Sequence, residues 1–217
     1  MAEDVKTAMV RVWDPLIRIG HWVLMAAFAT AYLTEGEPQT LHTYAGYALA
    51  MTVTMRIVWG FVGSRRARFG DFVTGPRRVL MYLAGLITGS AERHIGHSPA
   101  GGAMTVALLS ALMLTAFSGM ATLAVEKGKG PLAGIVTAQS LSAWSTDAGA
   151  RSVEDGRDDH QDEHGVGGEA FEEIHEVAAN ATLLLILLHV VGVLWASRVH
   201  GENLVRAMID GRKRAAE

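Results

Sequence analysis

Apolar and polar positions fall along this chain in long blocks, with no sustained alternation of the kind a strand would give. Four blocks are long enough to cross a bilayer as helices, which takes roughly 20 apolar residues each. They run over about 16–34, 42–62, 104–125 and 175–197. The third carries neither charge nor histidine, and the fourth contains a nearly uncharged run from Val177 to Ser197. Asp14-Pro15 precedes the first block and suits a helix start, because proline at the first helical position loses no hydrogen bond. Between the second and third blocks, 63–102 is basic and broken by glycine and proline. Within it, Arg77 to Thr88 is apolar on one side, the pattern of a helix lying along the membrane surface. The pattern predicts an all-α integral membrane protein, a bundle of four transmembrane helices forming a single domain over 1–217.

Composition agrees, since half the residues are apolar, only 19% are charged and the mean hydropathy is positive. The start, MAEDVKTAMVRVWDPLIRIGHW, lacks the pattern of a cleaved signal peptide, so the first block is expected to stay as a helix. The chain has no cysteine, which excludes disulfides, iron–sulfur clusters and haem attached through thioether bonds. Charge fixes an orientation. The 63–102 connection holds six arginines against Asp71 and Glu92, and the C-terminal tail adds Arg198, Arg206, Arg212, Lys213 and Arg214. By contrast, 126–173 holds eleven carboxylates against four cations. The positive-inside rule then puts both termini and the basic loop in the cytoplasm, with the acidic loop in the periplasm of a bacterial inner membrane.

An ionisable side chain in a membrane helix is costly and by default marks function. His175 and His189 lie fourteen residues apart on the fourth block, about 21 Å along a helix and just short of four turns, so they share a face. With the helices alternating in direction, His21 falls at the depth of His189 on the cytoplasmic side, and His42 at the depth of His175 on the periplasmic side. Each pair could supply two axial imidazoles to one haem iron, a ligation suited to electron transfer because no iron position stays open. Arg56, fourteen residues after His42, sits deep in the second block and needs an anionic partner, for which a haem propionate is the natural candidate.

Other residues read more plainly. His94 and His97 form an H-x-x-H in a glycine- and proline-containing loop without further ligands, and are expected in a solvated or interfacial loop. His160 and His164, in DDHQDEHG, have a spacing that could bind a divalent metal on a helix, but their charged surroundings fit a flexible acidic loop better. His200 is placed beside the headgroups, and Met104, Met113 and Met120 are ordinary helix packing. Trp13, Trp22, Trp59 and Trp195 are expected in the aromatic belts.

Four segments resemble the bacterial four-helix cytochrome b561 family, kin to the cytochrome b subunits of nickel–iron hydrogenases and formate dehydrogenases. They are VWDPLIRIGHW at 12–22, LHTYAGYALAMTVTMRIVWGFVG at 41–63, RHIGHSPAGG at 93–102 and HEVAANATLLLILLHVVGVLWASRVHGENL at 175–204. In that family one ligand comes from each of the first two helices and two, fourteen apart, from the fourth, so the resemblance falls on His21, His42, His175 and His189. It implies two b haems, quinone or quinol as substrate, and electron exchange with a periplasmic partner such as a c-type cytochrome. The acidic segment 127–169 lies outside the resemblance, and its charge suits contact with a basic partner of that kind. Two other functions fit the same residues: a superoxide:quinone oxidoreductase and a non-redox proton path through the histidines. Lipid is expected as a neighbour, and nucleic acid is not expected as a partner.

Overall fold

The computed structural model describes residues 9–35, 38–136 and 166–215. Four helices are long and apolar enough to span a membrane: α1 (Pro15–Leu33), α2 (Gln39–Val62), α5 (Pro99–Lys127) and α6 (Val166–Val199). Their outward faces expose large apolar side chains such as Met51, Phe61, Leu114, Leu184 and Val191, which only a lipid environment tolerates in such numbers. The chain is an all-α multi-pass membrane protein.

The helix ends follow local chemistry. Asp14 caps α1, its Oδ1 accepting from Ile17 N at 2.9 Å, and Pro15 opens the first turn. Ser98 does the same for α5, accepting from Gly101 N at 3.1 Å, so this helix starts at Pro99 rather than near 104. α6 begins at Val166, well before His175. Glu169 stands in its first turn, where a carboxylate complements the helix dipole. The acidic stretch before the fourth span is therefore helical from Val166 onward. Residues 137–165, with His160 and His164, lie outside the described residues.

Contacts sort the chain into two compact units, 1–110 with 183–217, and 111–182. In the first, α1 and α2 pair, and the basic connection folds into a 3-10 turn (Arg65–Ala67), α3 (Phe69–Phe72) and α4 (Pro76–Thr88). α4 buries Tyr82 and Leu86 and exposes Leu80, Met81 and Ile87, so its two-sided character is as the sequence predicts. Trp195 on α6 donates its Nε1 proton to Leu86 O at 3.1 Å. After α6 come α7 (Leu204–Asp210) and a strand β2 (Arg212–Arg214) that pairs antiparallel with β1 (Met9–Arg11). This ribbon closes over a small core of Val12, Trp13, Ile17 and Ala67.

The second unit joins the middle of α5 to the first half of α6 through small side chains. Ala116, Ala121, Ala124 and Ala178 are buried, and the Thr115 and Thr182 hydroxyls meet at 3.1 Å. Small residues let membrane helices approach closely where no hydrophobic effect drives them together.

Candidate functional site

His21 stands in the second turn of α1, beside the buried Gly20, and His189 lies midway along α6. Their ring centroids are 6.5 Å apart, with the planes tilted by 55°. The Nδ1 of His21 is buried and has no hydrogen-bond partner among the described residues.

His42, at the start of α2, is held across the α1–α2 pair: its Nδ1 donates to the carbonyl of Ala31 at 2.8 Å. In the other unit, His175 Nδ1 donates to the carbonyl of Thr115 at 2.9 Å and lies 3.3 Å from Ser118 Oγ. Since a carbonyl can only accept, both rings carry a proton on Nδ1. That is the form and second-shell contact that metal-ligating histidines have. Gly119 makes room for His175, since a Cβ there would stand 2.8 Å from its Cε1.

Arg56 is 8% exposed, and its guanidinium carbon lies 5.6 Å from the Phe69 ring centre and 6.0 Å from that of Phe72. One of its terminal nitrogens, Nη1, is buried without a partner among the described residues. The guanidinium thus lies against two aromatic faces, contacts worth about 0.5–2 kcal/mol, and also feels the charge of the Asp14 carboxylate. On the far side of Phe72 lies His97, at 4.2 Å between ring centres, with Trp13 edge-on at 4.6 Å. His97 thus lies in the loop as expected, but its ring is packed between Phe72 and Trp13 and its Nδ1 is buried. Enclosure, then the Arg56 and Lys213 cations, push its pKa down to about 3 against the pull of Asp71.

The model of one protein family, described as prokaryotic cytochrome b561, matches residues 12–211. The chain belongs to the prokaryotic cytochrome b561 family. No curated protein and no solved structure matches it. Membership brings b-type haem and an electron-transfer role in the membrane.

The side chains of this family member fit such a group. Two imidazoles on opposite faces of one iron, with metal–nitrogen bonds of about 2 Å, have ring centres about 6 Å apart, close to the spacing of His21 and His189. His42 and His175 each make the Nδ1–H to carbonyl contact typical of metal-ligating imidazoles, and Arg56 Nη1 is a buried cationic donor without an acceptor among the described residues.

Three arrangements escaped the sequence. Asp14, besides capping α1, accepts from Trp59 Nε1 at 3.1 Å and from Ser64 Oγ at 2.5 Å, tying the start of α1 to the end of α2. Burial raises its carboxyl, but those hydrogen bonds outweigh burial and hold it below the usual carboxylate range. Trp13 is 7% exposed and belongs to the core rather than to an aromatic belt. His200 shares a 3.1 Å hydrogen bond with Tyr82 OH, and His94 stands edge-on to the same ring. Beside them Glu202 binds Arg93 at 3.0 Å and the buried Lys213 at 3.9 Å, locking the tail to the loop.

Proposed function

We propose that the chain carries electrons across a bacterial inner membrane through two b haems, between the quinone pool and a periplasmic redox partner such as a c-type cytochrome. Both termini and the basic 63–102 loop lie in the cytoplasm, as the arginine excess argues. His21 and His189 hold the cytoplasmic-side haem, and His42 and His175 the periplasmic-side haem. The observation that carries this reading is the 6.5 Å approach of the His21 and His189 rings, from helices far apart in sequence, at a spacing that suits one iron. A haem held by these histidines would supply a one-electron carrier.

The chain's residues do the rest. The Ala31 and Thr115 carbonyls orient His42 and His175 and fix their protons on Nδ1. Arg56, shielded from water by Phe69 and Phe72, supplies a positive charge for a carboxylate at the cytoplasmic side. Buried, such a charge acts at low dielectric and is screened little by salt.

The test is a dithionite-reduced minus oxidised spectrum with pyridine-haemochrome quantitation on wild type, His175→Ala and His189→Ala. Close to two b haems per chain, with a different one lost in each variant, is the expected result. Loss of the same haem in both variants would break the pairing, and a colourless wild type would leave the histidines as a proton path.

A further inference from the structure

Where α2 ends, its last turn, the 3-10 turn and α3 surround an open hollow of about 480 Å³. Its apolar wall is Phe61 and Phe69, whose rings meet edge to face at 5.3 Å. Gly60 at the floor is bare because a Cβ there would press on the Phe69 ring. Phe61 and its neighbour Val62 are 70% and 68% exposed at the end of a spanning helix, a face that belongs to lipid. The mouth is cationic. Arg65 is a lining residue whose side chain is 85% exposed, and Arg68, another, is anchored by its Nε donating to Gly63 O at 2.8 Å. Asp71 also lines the hollow, and its carboxylate is already engaged, by Arg66 at 3.2 Å and by Arg65 Nε at 3.6 Å. The lining holds two arginines against one carboxylate, a charge of 2 − 1 = +1, and Arg66, paired with Asp71 from outside the lining, adds a further positive charge beside it.

We propose that this hollow binds the phosphate headgroup of an anionic phospholipid, with the acyl chains running along the exposed Phe61–Val62 end of α2. Guanidinium groups match phosphate oxygens with paired donors, and unlike an ammonium they shed water readily. A basic pocket beside a spanning helix, on the side where positive loops collect, is where anionic headgroups are drawn and held. Phe61 and Phe69 give the glycerol region an apolar wall, so both halves of an amphipathic ligand are matched. Asp71 keeps Arg65 and Arg66 in place and sets a limit on how much negative charge the site accepts. The site is independent of how the haems are ligated.

The experiment is native mass spectrometry of the haem-loaded protein from nanodiscs holding equal amounts of phosphatidylglycerol and phosphatidylcholine. Two arginines near the surface set the expected preference for phosphatidylglycerol at roughly thirtyfold. The double variant Arg65→Gln, Arg68→Gln should lose that preference while keeping the haem spectrum. Equal retention of both lipids by the wild type, or a preference unchanged in the variant, overturns the proposal. Inorganic phosphate added in lipid-free detergent distinguishes the sources: thermal stabilisation equal to that given by phosphatidylglycerol would assign the site to soluble phosphate and overturn the lipid. Should the double variant fail to take up haem, Arg65→Gln alone, on its exposed side chain, carries the same comparison.

Discussion

His175 and His21 are both proposed iron ligands on spanning helices, yet the protein holds them in different ways. His175 is gripped by the protein itself: a backbone carbonyl accepts from its Nδ1, a serine oxygen stands beside it, and a glycine clears the space for its ring. His42 shares the first of these devices. His21 has a buried Nδ1 without a partner among the described residues, and its neighbour across a gap is the ring of His189. A buried polar atom left unpaired costs about 1–3 kcal/mol. A carbonyl acceptor sets the tautomer of His175, whereas no hydrogen-bond partner among the described residues sets that of His21. On the proposed ligation, the protein itself preorganises one region, and the other would be completed by its haem.

The largest break in this contrast should come from two glycines. At position 119 an added Cβ meets His175 Cε1 at 2.8 Å and Nδ1 at 3.0 Å, so Gly119→Ala must push the ring off the Thr115 carbonyl. At position 20, next to His21, the nearest atom to an added Cβ is Thr52 Cγ2 at 3.7 Å, an ordinary contact. Gly119→Ala is expected to lose about half the haem per chain, as removal of one axial ligand would. Gly20→Ala should keep nearly all of it. Pyridine-haemochrome quantitation decides, and full haem in Gly119→Ala would mean that the grip on His175 is not needed.

The sequence made the four spans legible because an apolar run of bilayer length has few other uses, and the spacing of His175 and His189 on one helix follows from helical geometry alone. The ends of the spans were less legible. Glu169, Glu172 and Glu173 read as loop by charge, yet a helix start welcomes carboxylates, and α6 extends back through them. What holds the histidines was not legible at all, since the acceptors at His42 and His175 are backbone carbonyls of other helices, which any residue carries. Trp13 and His97 look like interface and loop residues in the sequence. Packing buries Trp13 with Ala67 and sets His97 against Phe72, and the three-residue β1–β2 ribbon has no pattern to announce it.

His97 repeats the His21 arrangement outside the spans, where its proton equilibrium can be read. Enclosure, Arg56 and Lys213 hold its pKa to about 3, against about 6.5 for an unconstrained imidazole. Below about pH 6.5 the unfolded chain therefore binds a proton that the folded chain refuses. This group's contribution to stability is intact above that pH and falls as pH drops toward 3, by at most about 1.4 kcal/mol per unit. His97→Phe, an aromatic that can stand between Trp13 and Phe72, removes the proton site and should flatten this part of the profile. Thermal unfolding of the haem-loaded wild type and variant from neutral to mildly acid pH is the check. Parallel profiles would show that His97 takes up its proton without leaving its place.

The smallest expected effect lies at Ser118, and it separates the two histidines most finely. Its hydroxyl has one proton, which goes to the Leu114 carbonyl at 2.9 Å or the Thr115 carbonyl at 3.1 Å, so toward His175 Nδ1 at 3.3 Å the oxygen acts as an acceptor. The Nδ1–H is thus shared between a good acceptor, Thr115 O, and a longer one. Each acceptor pulls the imidazole toward the imidazolate and makes it a stronger donor to iron, which favours the oxidised state. Ser118→Ala removes the weaker acceptor and leaves the carbonyl, so haem content should hold. The midpoint potential of the haem bound by His175 should rise by about 20–40 mV, the one-electron equivalent of about 0.5–1 kcal/mol. The haem bound by His21 has no such hydroxyl at its Nδ1 and should not move. A redox titration that resolves the two haems reads both at once. If neither potential moves, Thr115 alone sets the character of the His175 ring; if both move, the two sites are coupled and the contrast between them is not local.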